Sequence, residues 1–258
     1  PEIYFINAIE IALGSKERFY FPETFQFHKV YNSYLENHRS KLEELVVIPG
    51  LRQLPDRYHK RDLNTSFVGE TGENIGRLLA EPKVSKIVND WFKVLEIPYE
   101  IKSQLKDNYY YVTMRPYGKN YWLSYRDVGL GYSLSLGFII TALVEHDKVI
   151  VVEEPEVHLH PKLQGDIMDL LLYSAKERNN QFIIETHSEN MLLRAQKCIR
   201  KGNTQISPDK KLIKIYSEDL SISNVFRDET SSSIQKIEID KHGEFRTHWK
   251  DGFFSERL

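Results

Sequence analysis

Two glutamates stand side by side where an apolar run stops, in Lys148-Val-Ile-Val-Val-Glu-Glu-Pro-Glu-Val-His-Leu-His-Pro161. The β-branched run reads as a buried strand of an α/β sheet. Ligands of such sheets bind beyond the carboxyl ends of the strands, where Glu153 and Glu154 fall. Carboxylates so placed suit phosphoryl transfer, which needs magnesium on the phosphates, a group to orient the attacking water, and a donor for charge growing on the terminal phosphate. Glu153 takes the metal role in this reading and Glu154 the water role. His187, closing the second short apolar run Gln181-Phe-Ile-Ile-Glu-Thr-His187, supplies the donor.

Two other readings of the same residues stay open. The glutamate pair is merely solvated in one. In the other, His158 and His160 join Glu153, Glu154, Glu156 and His187 in a zinc-dependent hydrolytic centre. Asp166, the next candidate ligand, completes no familiar zinc spacing.

Three upstream stretches bear on the choice. Asp127-Val-Gly-Leu-Gly-Tyr-Ser133 leads into an apolar helical run ending at Leu143. The backbone N–H groups of Gly129 and Gly131 and the Ser133 hydroxyl would then form an anion site at a helix N-terminus. Leu45 to Tyr58 is an apolar run followed by Pro and Gly punctuation, a strand entering a loop. Arg52 and Arg57 in that loop either clamp a phosphate or carboxylate or are solvated. Val68 to Arg77 is glycine-spaced but lacks the Gly-Lys-Ser/Thr ending of a phosphate loop, and that ending occurs nowhere in the chain.

The elements that must position these groups follow from periodicity. Helices are predicted at 74–79, at 84–95 with Val88, Trp91 and Phe92 inward, at 162–176 with Leu163, Ile167, Leu170 and Leu171 inward, and at 188–199 capped by Ser188. The alternation of strand and helix across 148–199 implies parallel pairing with right-handed crossovers. Segments 108–115 and 120–125 form a hairpin whose aromatics pack on a neighbour rather than stack on bases. A strand at 212–216 and a terminal hairpin of 234–240 with 244–249 follow, and short helices are expected at 7–13 and 27–38.

Bulk properties narrow the class. A chain of 258 residues makes one large domain or two small ones. The formal net charge of −2 argues neither for nor against nucleic acid, because a local basic patch is compatible with it. One cysteine, Cys198, excludes an intrachain disulfide and any multi-cysteine zinc site, which fits a cytoplasmic location. No stretch is apolar enough to span a bilayer and no signal peptide is visible.

Residues 149–164 resemble the Walker B strand and D-loop of the ABC-type ATPases related to RecF and the OLD proteins. Glu185-Thr-His-Ser-Glu-Asn-Met-Leu-Leu-Arg194 is similar to that family's H-loop and the helix after it, and residues 127–133 to its signature. A bacterial and archaeal AAA-type subgroup is more similar still. It carries an arginine-proline loop like Leu51-Arg-Gln-Leu-Pro-Asp-Arg-Tyr58, a segment like Gly72-Glu-Asn74, and a closing element like Trp249-Lys-Asp-Gly-Phe-Phe-Ser-Glu256. The likeness runs from about residue 45 to the C-terminus, with Leu134 where the family has glutamine.

This resemblance implies the C-terminal part of an ABC-type head: α/β, a mainly parallel sheet flanked by helices, with a β-hairpin-rich appendage. Its expected parts are 1–126, a core at 127–205 and the appendage at 206–258. The implied cofactors are ATP and Mg2+, with Glu153 on the metal, Glu154 catalytic and His187 the switch histidine. Ser133, Gly129 and Gly131 would face the γ-phosphate held by a second subunit, and His158 to Pro161, including His160, would form the D-loop at the dimer interface. Head-to-head dimerisation would regulate an effector such as a nuclease in DNA repair or phage defence, with DNA a possible ligand. The family's phosphate loop precedes this region, so the chain is expected to be an ATPase portion inactive alone. The alternative is a non-hydrolysing interaction module docking through the terminal hairpin and Phe253-Phe254.

Overall fold

The computed structural model describes residues 8–11, 45–52, 56–61, 68–69, 72–227 and 232–249. Its central sheet has six strands in the order β12-β11-β1-β8-β7-β2. β2 (Leu45–Ile48), β7 (Val149–Glu153) and β8 (Gln181–Glu185) are the parallel half. The apolar run of β7 lies between two parallel neighbours, with Ile150, Val151 and Val152 at most 5% exposed. That double burial is why it reads as continuous rather than alternating.

Helices cover the sheet. α1 (Ile75–Ala80), α2 (Pro82–Val94), α3 (Leu130–Val144), α4 (Pro161–Arg178) and α5 (Glu189–Lys201) follow in chain order. α3 packs against both α2 and α4, so Leu136, Phe138, Ile139, Ile140 and Leu143 are all buried and the helix shows no polar stripe. α2 buries the predicted Val88, Trp91 and Phe92. α4 and α5 are the predicted crossover helices, and Ser188 caps α5 by accepting from the Met191 N–H at 3.3 Å. Buried Asn180 ties the strand starts together, accepting from Lys148 N at 3.0 Å and donating to the Glu145 carbonyl at 2.8 Å.

The other half of the sheet is antiparallel. β1 (Ala8–Ile11) pairs with β8 on one side and with β11 (Ser221–Arg227) on the other, and β11 pairs with β12 (Ser232–Ile237). The helix expected at 7–13 is thus a strand over its described part, because pairing on both edges overrides a weak local pattern. β11 and β12, from the segment expected as an appendage, continue the central sheet. The terminal hairpin reduces to one bridge, Ile239 to Phe245, around a turn in which Asp240 accepts from His242 N and Glu244 N. The helix expected at 27–38 and the closing Gly-Phe-Phe element lie outside the described residues.

A smaller sheet holds β3 (His59–Lys60), β4 (Tyr99–Lys106), β5 (Tyr109–Pro116) and β6 (Leu123–Ser124), with β5 between β3 and β4 and also pairing β6. β4 and β5 form the long hairpin, turning at Asp107 and Asn108, both with positive φ as a two-residue type I′ turn requires. The expected pairing of 108–115 with 120–125 is present but short, through Thr113 with Ser124 and Met114 with Leu123. The remaining short elements are β9 (Asn203–Gln205) and β10 (Leu212–Lys214), which pair with each other. Among the described residues no helix is long and apolar enough to cross a membrane.

Candidate active site

The carboxyl ends of β2, β7 and β8 are aligned, with Ile48 beside Val152 and Glu153 beside Glu185 in register. Each strand delivers its chemistry at that line. β2 is followed by Gly50 and Arg52, β7 ends in Glu153 and is followed by Glu154, and β8 ends in Glu185 and is followed by His187.

Glu153 is anchored from β2: its Oε2 accepts from the Gly50 N–H at 2.8 Å. Glu154 turns the chain at φ +43°, the left-handed region that costs a non-glycine residue of order 1–2 kcal/mol. Three bonds hold that conformation. Its N–H donates to the Glu185 carbonyl at 2.8 Å, and Arg52 Nη2 donates to the carbonyls of Glu153 at 2.6 Å and Glu154 at 3.0 Å. Arg52 therefore braces the turn through backbone oxygens rather than clamping a carboxylate. Burial lowers its guanidinium below the ordinary range, against the pull of Glu156, Glu154 and Glu153. Arg57 is occupied elsewhere, paired with Asp127 at 2.8 Å.

Glu154, Glu185 and His187 converge, one ligand atom from each lying within 4.8 Å of the others. Glu154 and Glu185 are half-buried and His187 is exposed. Burial, with Glu153, Glu154 and Glu156 adding to it, pushes the Glu185 carboxyl up to about 7. Glu156 is buried and its Oε1 accepts from the His187 N–H at 2.6 Å, which fixes the backbone carrying the histidine. Its Oε2 has no hydrogen-bond partner among the described residues. Sequence reasoning gave Glu185 no role and Glu156 only a zinc role. The register Glu153 to Glu185 brings the first into the site, and no local pattern carries that pairing.

The loop after β7 runs into α4 through His158 and His160, both exposed. His158 has φ +63°, and His160 caps α4 by accepting from Lys162 N at 3.3 Å. Neither belongs to the converging group, so the zinc centre built on them is not assembled among the described residues. The loop instead meets the start of α3. A Cβ on Gly131 would lie 2.3 Å from the His158 carbonyl oxygen, so only glycine allows this approach. Gly129 is exposed at the N-cap of α3. Ser133 is 3% exposed and its hydroxyl donates to the Tyr125 carbonyl at 2.6 Å, turned inward rather than presented to a second subunit. Gln164 joins the two loops: its amide donates to the Leu159 carbonyl at 3.1 Å, and its Oε1 accepts from Ser188 Oγ at 2.8 Å and Asn190 at 3.0 Å.

Among solved structures, the chain is similar to an SMC ATPase studied for ATP-driven dimerisation and DNA-stimulated activation, with 16% identity over 59% of this chain and 82% of that one, TM-score 0.43. It is also similar to an Smc head bound to the C-terminal winged-helix domain of ScpA, with 14% identity over 67% of this chain and 46% of that one, TM-score 0.46. A third is an Smc head with an extended coiled coil bound to the C-terminal domain of ScpA from Pyrococcus furiosus, with 17% identity over 82% of this chain and 46% of that one, TM-score 0.42. The chain thus spans less than half the length of the last two. No match was found among curated proteins. The model of the family described as AAA domain, putative AbiEii toxin, type IV toxin–antitoxin system, matches residues 13–194, and the chain belongs to that family.

Proposed function

We propose that the aligned ends of β2, β7 and β8 are the metal- and water-handling part of an ATP-hydrolysing head. The observation that carries this reading is the convergence of Glu154, Glu185 and His187 beside Glu153 on one line of strand ends. The donor set fits Mg2+, a hard cation that takes carboxylate oxygens, and the crowding that pushes the Glu185 carboxyl up to about 7 is what a divalent cation relieves. Bound there, the metal would neutralise charge on the phosphates. Glu153 and Glu185 are the residues offered to it. Glu154 orients the attacking water and accepts its proton, held in aim by Arg52 and the Glu185 carbonyl. His187, on a backbone fixed by Glu156, would offer a ring donor to the terminal phosphate.

The residues of this chain do not include a Gly-Lys-Ser/Thr phosphate loop, so this reading expects hydrolysis only where one is supplied from elsewhere. It extends to nucleotide-dependent pairing of two heads, since the close contact of Gly131 with His158 makes the α3 start and the following loop one surface. The resemblance assigns that pairing a partner in DNA repair or phage defence. ATP hydrolysis by the full-length gene product tests the core of the reading. Glu154→Gln is expected to lower kcat by roughly 100-fold or more while ATP binding persists, and unchanged turnover would refute the assignment.

A further inference from the structure

The small sheet has two faces of different character. Ile101, Tyr110, Val112 and Met114 face inward and are buried, and Ser103 on the same side donates to the Gly76 carbonyl of α1 at 2.6 Å. The opposite face was expected to be packed, yet Tyr58, Tyr109 and Tyr111 on it are 52%, 36% and 37% exposed. We propose that this outer face binds single-stranded nucleic acid.

Register supplies the argument. Tyr109 on β5 lies between Lys106 on β4 and Lys60 on β3, its direct partners on either side. Tyr111 follows two residues on, about 7 Å along the strand and on the same face. Tyr58 meets Tyr109 edge-on at 4.9 Å and Tyr111 at 6.2 Å, so three phenol rings form one platform. Further along, Lys102 sits 3.9 Å from the centre of the Trp122 ring and Arg115 5.0 Å. Among the residues that the strand register places on this face, Glu100 is the one carboxylate, and it is paired with Arg115. The face is therefore basic on a chain whose formal net charge is −2. Lysines flanking exposed rings serve phosphates and base faces at once. A duplex hides its base faces in the stack, whereas a single strand can splay them onto the rings. The ligand is accordingly a single strand, with stacking from the tyrosines and charge from the lysines.

Fluorescence anisotropy with labelled single-stranded DNA, the matching RNA, and the DNA duplex tests this without recourse to ATP hydrolysis, and so independently of the function proposed above. The chain is expected to bind one or both single strands more tightly than the duplex, the stronger arm showing which sugar is read. Tyr109→Ala and Tyr111→Ala should each weaken binding roughly tenfold, and Tyr109→Phe should restore it, because the ring is kept. Lys60→Ala with Lys106→Ala should flatten the salt dependence by about 1.4 in log–log slope. All four positions are exposed or at strand ends, and unchanged thermal melting of each variant checks that folding is intact. Absence of binding at low salt overturns the proposal, as does binding that the tyrosine and lysine substitutions leave unmoved or that prefers the duplex.

Discussion

Between α4 and α5, Asp166 and Asp169 are buried against Arg194; at the ends of β7 and β8, Glu153, Glu154, Glu156 and Glu185 crowd together. The residue types are alike and the construction is opposite. Arg194 Nε reaches both oxygens of Asp169 at 2.9 and 3.0 Å, its Nη2 reaches Asp166 at 3.0 Å, and Lys162 adds a bond to Asp166 at 2.7 Å. The Asp169 hydrogen bonds hold the Arg194 guanidinium above its ordinary range, and Cys198 beside them, pushed up to about 12 by burial and Asp169, stays a neutral thiol. At the strand ends the nearby cation, Arg52, spends its bonds on carbonyls, and one Glu156 oxygen is unpaired among the described residues. A charge cluster that is complete within itself is a fastener. At the strand ends the single charge of Arg52 faces four carboxylates, and it is there that the proposed function places a cation.

Breaking the fastener should cost most. Arg194→Ala leaves Asp166 and Asp169 buried without their fork, and loss of one partner of a buried pair destabilises by about 3 kcal/mol. Urea denaturation should show that loss in the midpoint, with nucleotide chemistry affected only through folding. A variant as stable as the parent would mean that the two clusters do not differ in kind.

Gly131→Ala tests the contact between the α3 start and the loop after β7. The new methyl would meet the His158 carbonyl oxygen, a backbone atom, at 2.3 Å, and overpacking of this kind costs about 2 kcal/mol. The loop must shift, so nucleotide-dependent pairing should weaken more than the fold does. Equal losses in urea midpoint and in pairing, measured by light scattering with and without ATP, would make the contact a fastener too.

Legibility in the sequence followed the range of the interactions. β7, β8, α4 and α5 are legible because apolar runs mark the strands and periods with caps mark the helices, and Glu153, Glu154 and His187 stand out as candidates because each lies within two residues of a strand end. β1 and β11 are not legible as strands: four residues are too few to show a period, and β11 buries Asn224 between Ile222 and Phe226. β1 owes its state to β8 and β11, far away in the chain, and β11 joins the central sheet only through β1. What Glu185 and Arg52 touch is not legible either, since the register of β8 on β7 and the loop after β2 decide it. Ser133 was expected outward from its motif, and the Tyr125 carbonyl, set by the short helical turn before α3, takes its hydroxyl.

The smallest effect has the opposite sign to the first and is the sharpest test of the contrast. In a chelator, with no cation to relieve the crowding, Glu185 carries a folded-state value of about 7 against 4.5 unfolded. The folded state then binds the extra proton, so this contribution to stability is fully present below about pH 4.5 and is lost as pH rises through about 7. Because the carboxyl is only half-buried, the loss is about 1 kcal/mol once solvent screening is allowed for. Glu185→Gln removes the titrating group and keeps the shape. At pH 8 it should therefore melt higher than the parent in chelator, and the two should converge at pH 4. Adding Mg2+ should stabilise the parent more than the variant. A variant less stable than the parent at pH 8 would mean that the Glu185 carboxylate is already paid for within the chain, and the strand-end cluster would then be a second fastener rather than an unfinished site.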